Sequence, residues 1–130
     1  MEGDTGEHGH GKLRLRILYA GGSVGPGKIR LLEAVRSTGS ISAAARTLDM
    51  PFRRAWQLID TMHRVFREPV VRASAGGRTG GGAELTALGA QLVERYRAME
   101  RAAEEAARPH LEWLDPMTLP DSARGSGDDP

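Results

Sequence analysis

Arg53, Arg54 and Gln57 stand within five positions at the start of an apolar-periodic segment. Their side chains suit hydrogen bonding to the polar edges of bases. A guanidinium donates two bonds to O6 and N7 of guanine, and a carboxamide can pair with adenine, once a helix carries them into the major groove. The competing reading is that one arginine pairs with Asp60 or a backbone phosphate. Arg46, Arg72 and Arg78 are candidates for phosphate contacts, which supply salt-sensitive affinity without reading sequence. Ser42 has two possible uses, as a helix N-cap or as a hydroxyl donor to a phosphate.

Other residue patterns that could carry chemistry are weaker. Gly22-x-x-x-x-Gly27-Lys28 matches most of a phosphate-cradling P-loop, but Ile29 stands where a Ser or Thr must hold Mg²⁺. A chain of 130 residues is also too short for the parallel sheet of such enzymes. Nucleotide binding is therefore the weakest of three functional readings. His8 and His10 form an H-x-H pair with no third ligand nearby, so no metal is expected. His63 lacks the partners that catalysis would require, and no catalytic residues, enzymatic activity or cofactors are expected. The absence of cysteine rules out disulfides and thiolate metal sites.

These side chains need elements to position them. Ile41, Ala44, Ala45 and Leu48 fall at i, i+3, i+4 and i+7, one face of a short helix. Asp49 and Met50 break the period, and Pro51 opens a second helix, where its missing N–H costs nothing. In that helix Phe52, Ala55, Trp56, Ile59, Met62 and Phe66 repeat at three- and four-residue steps. Trp56 is accordingly expected in the core. Two helices joined by so short a turn, the second opening on a basic patch, describe a helix-turn-helix. A strand at Val70-Val71-Arg72 and another at Ala83-Glu84-Leu85 would form a wing around a tip that carries Arg78 and Thr79. Five glycines between Ala73 and Gly82 let such a tip approach a phosphate backbone closely; a merely flexible turn is the alternative.

Before this unit, Leu13, Leu15 and Ile17 alternate with Arg14 and Arg16, which predicts a short half-buried strand through Tyr19. Gly21 to Gly27 is expected as a loop, and Lys28 to Ser37 as a helix that Gly39 caps. After the wing, Thr86 caps a helix expected to end at Arg108, before Pro109. Leu88, Leu92, Tyr96, Met99 and Ala103 form a narrow seam along it. The seam reads as a dimer contact; packing back onto the first helix of the same chain is the alternative. Arg101–Glu105 and Glu104–Arg108 are spaced as i, i+4 pairs, and Leu111, Trp113 and Leu114 offer a continuation of the seam.

The net charge of +1 hides an asymmetry. Lys12 to Gly82 holds thirteen basic and four acidic side chains, a net of +9, while residues 83–130 carry a net of −5. A polyanion-binding half joined to a non-binding half has this distribution, as does a merely solvated basic face. Residues 1–11 and 115–130 are polar, glycine- or proline-rich and acidic, and are expected to be disordered. No apolar run reaches the roughly 20 residues that a membrane span needs, and the acidic N-terminus is unlike a secretory signal, so a cytoplasmic location is expected.

Gly39 to Ala45 (GSISAAA), Ala55-Trp56 and the wing segment Val71 to Gly89 (VRASAGGRTGGGAELTALG) resemble the N-terminal DNA-binding domain of the molybdate-responsive regulators of the ModE family. That domain is related to those of LysR-type regulators. The resemblance runs roughly from Leu13 to Leu114, with the glycine-rich wing followed by Leu-Thr-x-x-Gly its most specific part. It implies a mainly α fold with a small β-hairpin, in which the strand at Leu13 pairs with the wing, and a dimer contact along the last helix. It also implies molybdenum-related control, although the C-terminal oxyanion-binding domains of such regulators are not in this sequence and no bound oxyanion is expected within it.

The expected organisation is thus a tail at 1–11, a winged helix-turn-helix at 12–85, a dimerisation helix at 86–114 and an acidic tail at 115–130. The expected activity is sequence-specific binding of double-stranded DNA by a homodimeric transcription regulator, with no membrane partner. The candidate contacts are Ser42, Arg46, Pro51, Phe52, Arg53, Arg54, Gln57, Arg72, Arg78 and Thr79. The alternative is a partner-dependent adaptor or dimerisation module that acts with another regulator.

Overall fold

The computed structural model describes residues 8–74 and 81–120. Arg14–Met99 form one compact unit, and the chain on either side of it forms a second. The fold is mainly α with two small hairpins, in the order β1 (Ile17–Tyr19), β2 (Gly22–Val24), α1 (Pro26–Thr38), α2 (Ile41–Thr47), α3 (Phe52–Val65), β3 (Val71–Ser74), β4 (Gly82–Leu85) and α4 (Ala87–Leu114).

The first strand is shorter than its alternating sequence predicts, and its partner differs. β1 pairs antiparallel with β2, Ile17 opposite Val24 and Tyr19 opposite Gly22. Among the described residues this hairpin is a sheet separate from β3–β4, so β1 does not join the wing. Part of the expected glycine loop is therefore a strand. Glycine at φ +152 permits this tight return, and a β carbon on Gly22 would come within 2.9 Å of the Thr61 methyl.

Pro26 occupies the first turn of α1, where its ring suits helical φ, so the helix starts two residues before Lys28. Its end matches expectation: Gly39 lies at φ 84 and donates its N–H to the Val35 carbonyl at 2.9 Å. The cap of α2 belongs to Ser40, not Ser42. Ser40 is extended, and its Oγ accepts from the Ala43 N–H at 2.9 Å. Between α2 and α3 the chain turns at Asp49, whose φ of 57 a short polar side chain tolerates. Pro51 precedes α3 as an extended residue whose carbonyl accepts from Ala55.

The core of the larger unit collects Leu31, Leu32 and Val35 from α1, Ala44 and Ala45 from α2, and Ala55, Ile59 and Met62 from α3, closed by Val70, Val71, Ala83 and Val93. A second cluster joins Val24 and Ile29 to Tyr96 of α4, whose phenolic O–H donates to the Leu15 carbonyl at 2.6 Å. Two ion pairs tie α4 to α1. Arg97 forks onto Glu33 at 2.9 and 2.7 Å, and Arg36 meets Glu94 at 3.4 Å.

α4 begins as expected: Thr86 Oγ1 accepts from the Gly89 N–H at 3.0 Å and donates to the Pro69 carbonyl at 2.7 Å. It does not stop at Arg108 but continues through Pro109 to Leu114. Proline removes one backbone donor, yet the remaining helical bonds carry the segment on. Among the described residues the i, i+4 spacings Arg101–Glu105 and Glu104–Arg108 do not close into ion pairs, whereas Glu94 and Arg97 of α4 pair with Arg36 and Glu33 of α1.

In the smaller unit, Asp115–Met117 form a 3₁₀ turn, the Gly9 N–H donates to Thr118 Oγ1 at 2.6 Å, and the Gly11 N–H donates to Asp115 Oδ1 at 3.0 Å. Residues 8–11 and 115–118 are thus hydrogen-bonded where tails were expected. The rest of both expected tails, residues 1–7 and 121–130, lies outside the described residues.

Candidate nucleic-acid interface

α3 presents three different faces. Ala55, Ile59 and Met62 are buried. At about 100° per residue, Arg53, Gln57, Asp60 and Arg64 fall together on the side away from that core, and all four are exposed. The carboxylate of Asp60 is taken by Arg64 at 3.3 Å, so it does not hold either arginine at the start of the helix. Among the described residues Arg53 and Arg54 make no ion pair, which leaves both guanidinium groups with their donors available.

The third face carries Phe52 and Trp56. Trp56 was expected in the core, but it is 45% exposed, and Phe52 is 51% exposed. The rings meet edge-to-face at 6.4 Å. Both stand on the flank of the buried stripe, and the small Ala55 takes the inward position that the tryptophan was expected to fill. Opposite them, the β3–β4 ladder runs Val71–Leu85, Arg72–Glu84, Ala73–Ala83 and Ser74–Gly82. Between helix and ladder lies a largely apolar groove of about 470 Å³, lined among others by Ser42, Phe52, Trp56, His63 and Arg72. His63 Nε2 accepts the Val71 N–H at 3.4 Å, a cross-link from α3 to the wing.

The structure therefore brings Ser42, Phe52 and Arg72 to one groove with Trp56, which the sequence reading missed. Ser42, relieved of capping, is exposed in the first turn of α2, and Arg46 and Pro51 are exposed nearby. Arg53, Arg54 and Gln57 project elsewhere on α3. Arg72 carries its own counter-ion: its Nε donates to Glu84 across the ladder at 2.8 Å. Arg78 and Thr79 lie outside the described residues.

The seam on α4 divides. Leu88 and Leu92 pack against the chain's own core, and Tyr96 is completely buried in it. The ring and the hydroxyl of Tyr96 are both used within its own chain. Met99 is 42% exposed and Ala103 half-buried, so these are the seam residues left toward solvent.

A short helix, a four-residue turn, a second helix with a basic exposed face and a two-stranded hairpin beside it define a winged helix-turn-helix. No protein-family model matches the chain. Individual relatives do. The chain is 43% identical to the molybdenum transport protein ModE of Azotobacter vinelandii over 91 residues, 70% of this chain and 34% of that protein. It is 40% identical to the molybdenum-pterin-binding protein MopB of Rhodobacter capsulatus over 98 residues, 75% of this chain and 35% of that protein. It is 32% identical to the DNA-binding transcriptional dual regulator ModE of Escherichia coli K12 over 81 residues, 62% of this chain and 31% of that protein. The chain is a homologue of the ModE regulators and carries a ModE-like domain. It spans about a third of the length of the curated relatives it matches.

Proposed function

We propose that this chain is the double-stranded-DNA-binding part of a transcription regulator linked to molybdenum-related gene control, and that it acts as a homodimer. The observation that carries the reading is the outer face of α3, where Arg53 and Gln57 stand exposed one turn apart, with Arg54 beside them and Asp60 already paired to Arg64. A helix of this kind, next to a β-hairpin, presents donors where the major groove presents acceptors. The relatives' names support the role and the molybdenum link. Ser42, Arg46 and the wing, with Arg72 and the tip residues Arg78 and Thr79, supply phosphate contacts. Pro51 and Phe52 set the start of the reading helix.

Dimerisation places the contact on the outward part of α4, from Met99 through Ala103. Two reading helices related by a two-fold axis then enter successive major grooves roughly 34 Å apart, which demands a near-palindromic site. Selection of bound sequences from a random duplex library at two salt concentrations tests this. The expected result is an enriched palindrome with one helical turn between half-sites. Salt-sensitive binding with no enrichment overturns sequence reading, and no binding at either salt overturns the DNA assignment.

A further inference from the structure

Arg53 and Arg54 are neighbours in sequence, yet the fold gives them different surroundings. A step of about 100° along α3 separates them. Arg54 shares its flank with Thr61, two turns on, and Thr61 is the residue whose methyl closes on Gly22 of β2. That flank therefore faces the β1–β2 hairpin and the start of α1, on the side of the reading helix away from the groove and wing.

Two further cations stand there. Lys28 donates to the Ser23 carbonyl at 2.8 Å, and Arg16 donates to Ser23 Oγ at 3.3 Å. The Arg16 side chain runs across Gly25, its Cγ 3.7 Å from where a β carbon would be. Each cation spends one donor on Ser23 and keeps the others: an ammonium has three, a guanidinium five. Burial holds the Lys28 ammonium below the ordinary lysine range, and the positive charges of Arg16 and then Arg54 push it the same way. The charged groups that act on Lys28 are thus both cations. Arg16 and Lys28 converge on Ser23 of β2, and Arg54 extends from the flank of α3 that faces this hairpin, so an anion set there would be attracted by all three. The P-loop-like stretch from Gly22 to Lys28 does not itself cradle a nucleotide, because Gly22–Val24 are laddered to β1.

We propose that Arg16, Lys28 and Arg54 form a phosphate-backbone clamp on the side of α3 opposite the wing, so that Arg54 positions the duplex and Arg53 alone of the pair reads a base. This rests on the DNA-binding reading above. The duplex is then held on both sides of the reading helix. The ligand chemistry is a phosphate anion, here from the phosphodiester backbone of duplex DNA, and a free nucleoside triphosphate is the other source of phosphate.

The test uses the full chain and fluorescence anisotropy with a selected duplex and a random duplex, each titrated at several salt concentrations. Arg16→Gln, Lys28→Gln and Arg54→Gln are compared with Arg53→Gln. Glutamine at 28 keeps a donor for the Ser23 carbonyl, and Lys28→Arg keeps the charge and should restore binding. Each of the three clamp substitutions should weaken both duplexes by the same factor and lower the slope of log affinity against log salt by about 0.9, the value for one phosphate contact. Arg53→Gln should reduce the ratio between the two duplexes. Unchanged slopes in all three variants, with the wild type still binding DNA, overturn the clamp and leave the DNA reading standing. A loss confined to the selected duplex in Arg54→Gln also overturns it. A wild type that binds neither duplex removes both readings. Displacement of the duplex by ATP at equimolar phosphate, abolished in Lys28→Gln, would replace the backbone with a nucleotide as the ligand.

Discussion

The carbonyl oxygen of Val70 occupies the space that a β carbon on Gly89 would need. That carbonyl cannot readily move, because it accepts the Thr86 N–H at 3.0 Å. The wing's first strand and the start of α4 are locked together at this contact. Gly89→Ala should therefore destabilise the fold by about 3 kcal/mol or more, beyond ordinary overpacking because backbone and not a flexible side chain must yield. Thr86→Ala, which removes a cap and the bond to Pro69, should cost about 1–2 kcal/mol. Urea unfolding of both variants checks the order, and a Gly89→Ala protein as stable as the wild type would refute the packing account.

Arg97 and Glu33 make a second tie, between α4 and α1, with testable pH behaviour. The two bonds from Arg97 hold the Glu33 carboxyl below its ordinary value of 4.5, against a smaller opposing effect of burial. A carboxylate depressed on folding contributes stability that is complete above its unfolded pKa and is lost as pH falls through the folded one. Glu33→Gln should therefore cost about 1 kcal/mol at neutral pH. Its melting curve should converge on that of the wild type as the pH falls below 4.5 and through the depressed folded value, and a cost that persists undiminished in acid would disprove the linkage.

The division of the α4 seam separates folding from assembly. Tyr96→Phe should cost about 1 kcal/mol in stability, since the Leu15 carbonyl loses its donor, and should leave any dimer intact. Met99→Glu should leave the melting of the monomer nearly unchanged, because the residue is 42% exposed, and should shift the protein to monomers in sedimentation. A dimer that survives Met99→Glu at micromolar concentration would move the contact elsewhere.

The motifs that were legible in the sequence are those whose backbone leaves no choice. Gly39 had to be a left-handed cap, and Leu-Thr-x-x-Gly is legible because Thr86 caps and Gly89 has no room for a side chain. Trp56 was not legible. A period of three and four marks a stripe that spans more than the buried face, and only the neighbours decide which edge of it stays in water; here Ala55, Ile59 and Met62 fill the core and leave the aromatic edge out. Ser40 and Ser42 could each have capped α2, and the extended backbone at Ser40 made the choice. β1 is shorter than its alternation predicts because its partner β2 lies among glycines, and α4 runs past Pro109 because a proline weakens a helix without being obliged to end it. Of the candidate contacts, the split of Arg53 from Arg54 depends on what packs against each flank of α3, which no spacing along the chain contains.

The wing offers a prediction of opposite sign to the losses above. Arg72 faces the Glu84 carboxylate across the β3–β4 ladder at 2.8 Å, so any phosphate that approaches Arg72 meets a guanidinium already paired and a negative charge beside it. An exposed pair of this kind contributes little to folding, so removing its acid should barely change stability. Its effect on DNA is larger, because repulsion between Glu84 and the backbone disappears and Arg72 becomes free to donate. Glu84→Gln should tighten binding to selected and random duplexes alike, by roughly two- to five-fold at low salt, and steepen the salt dependence. Arg72→Ala should correspondingly weaken binding less than Arg54→Ala does, since part of its charge is spent within the ladder. If Glu84→Gln weakens binding instead, Arg72 needs the carboxylate to hold its side chain in place, and the pair acts as a unit that presents the arginine to the backbone.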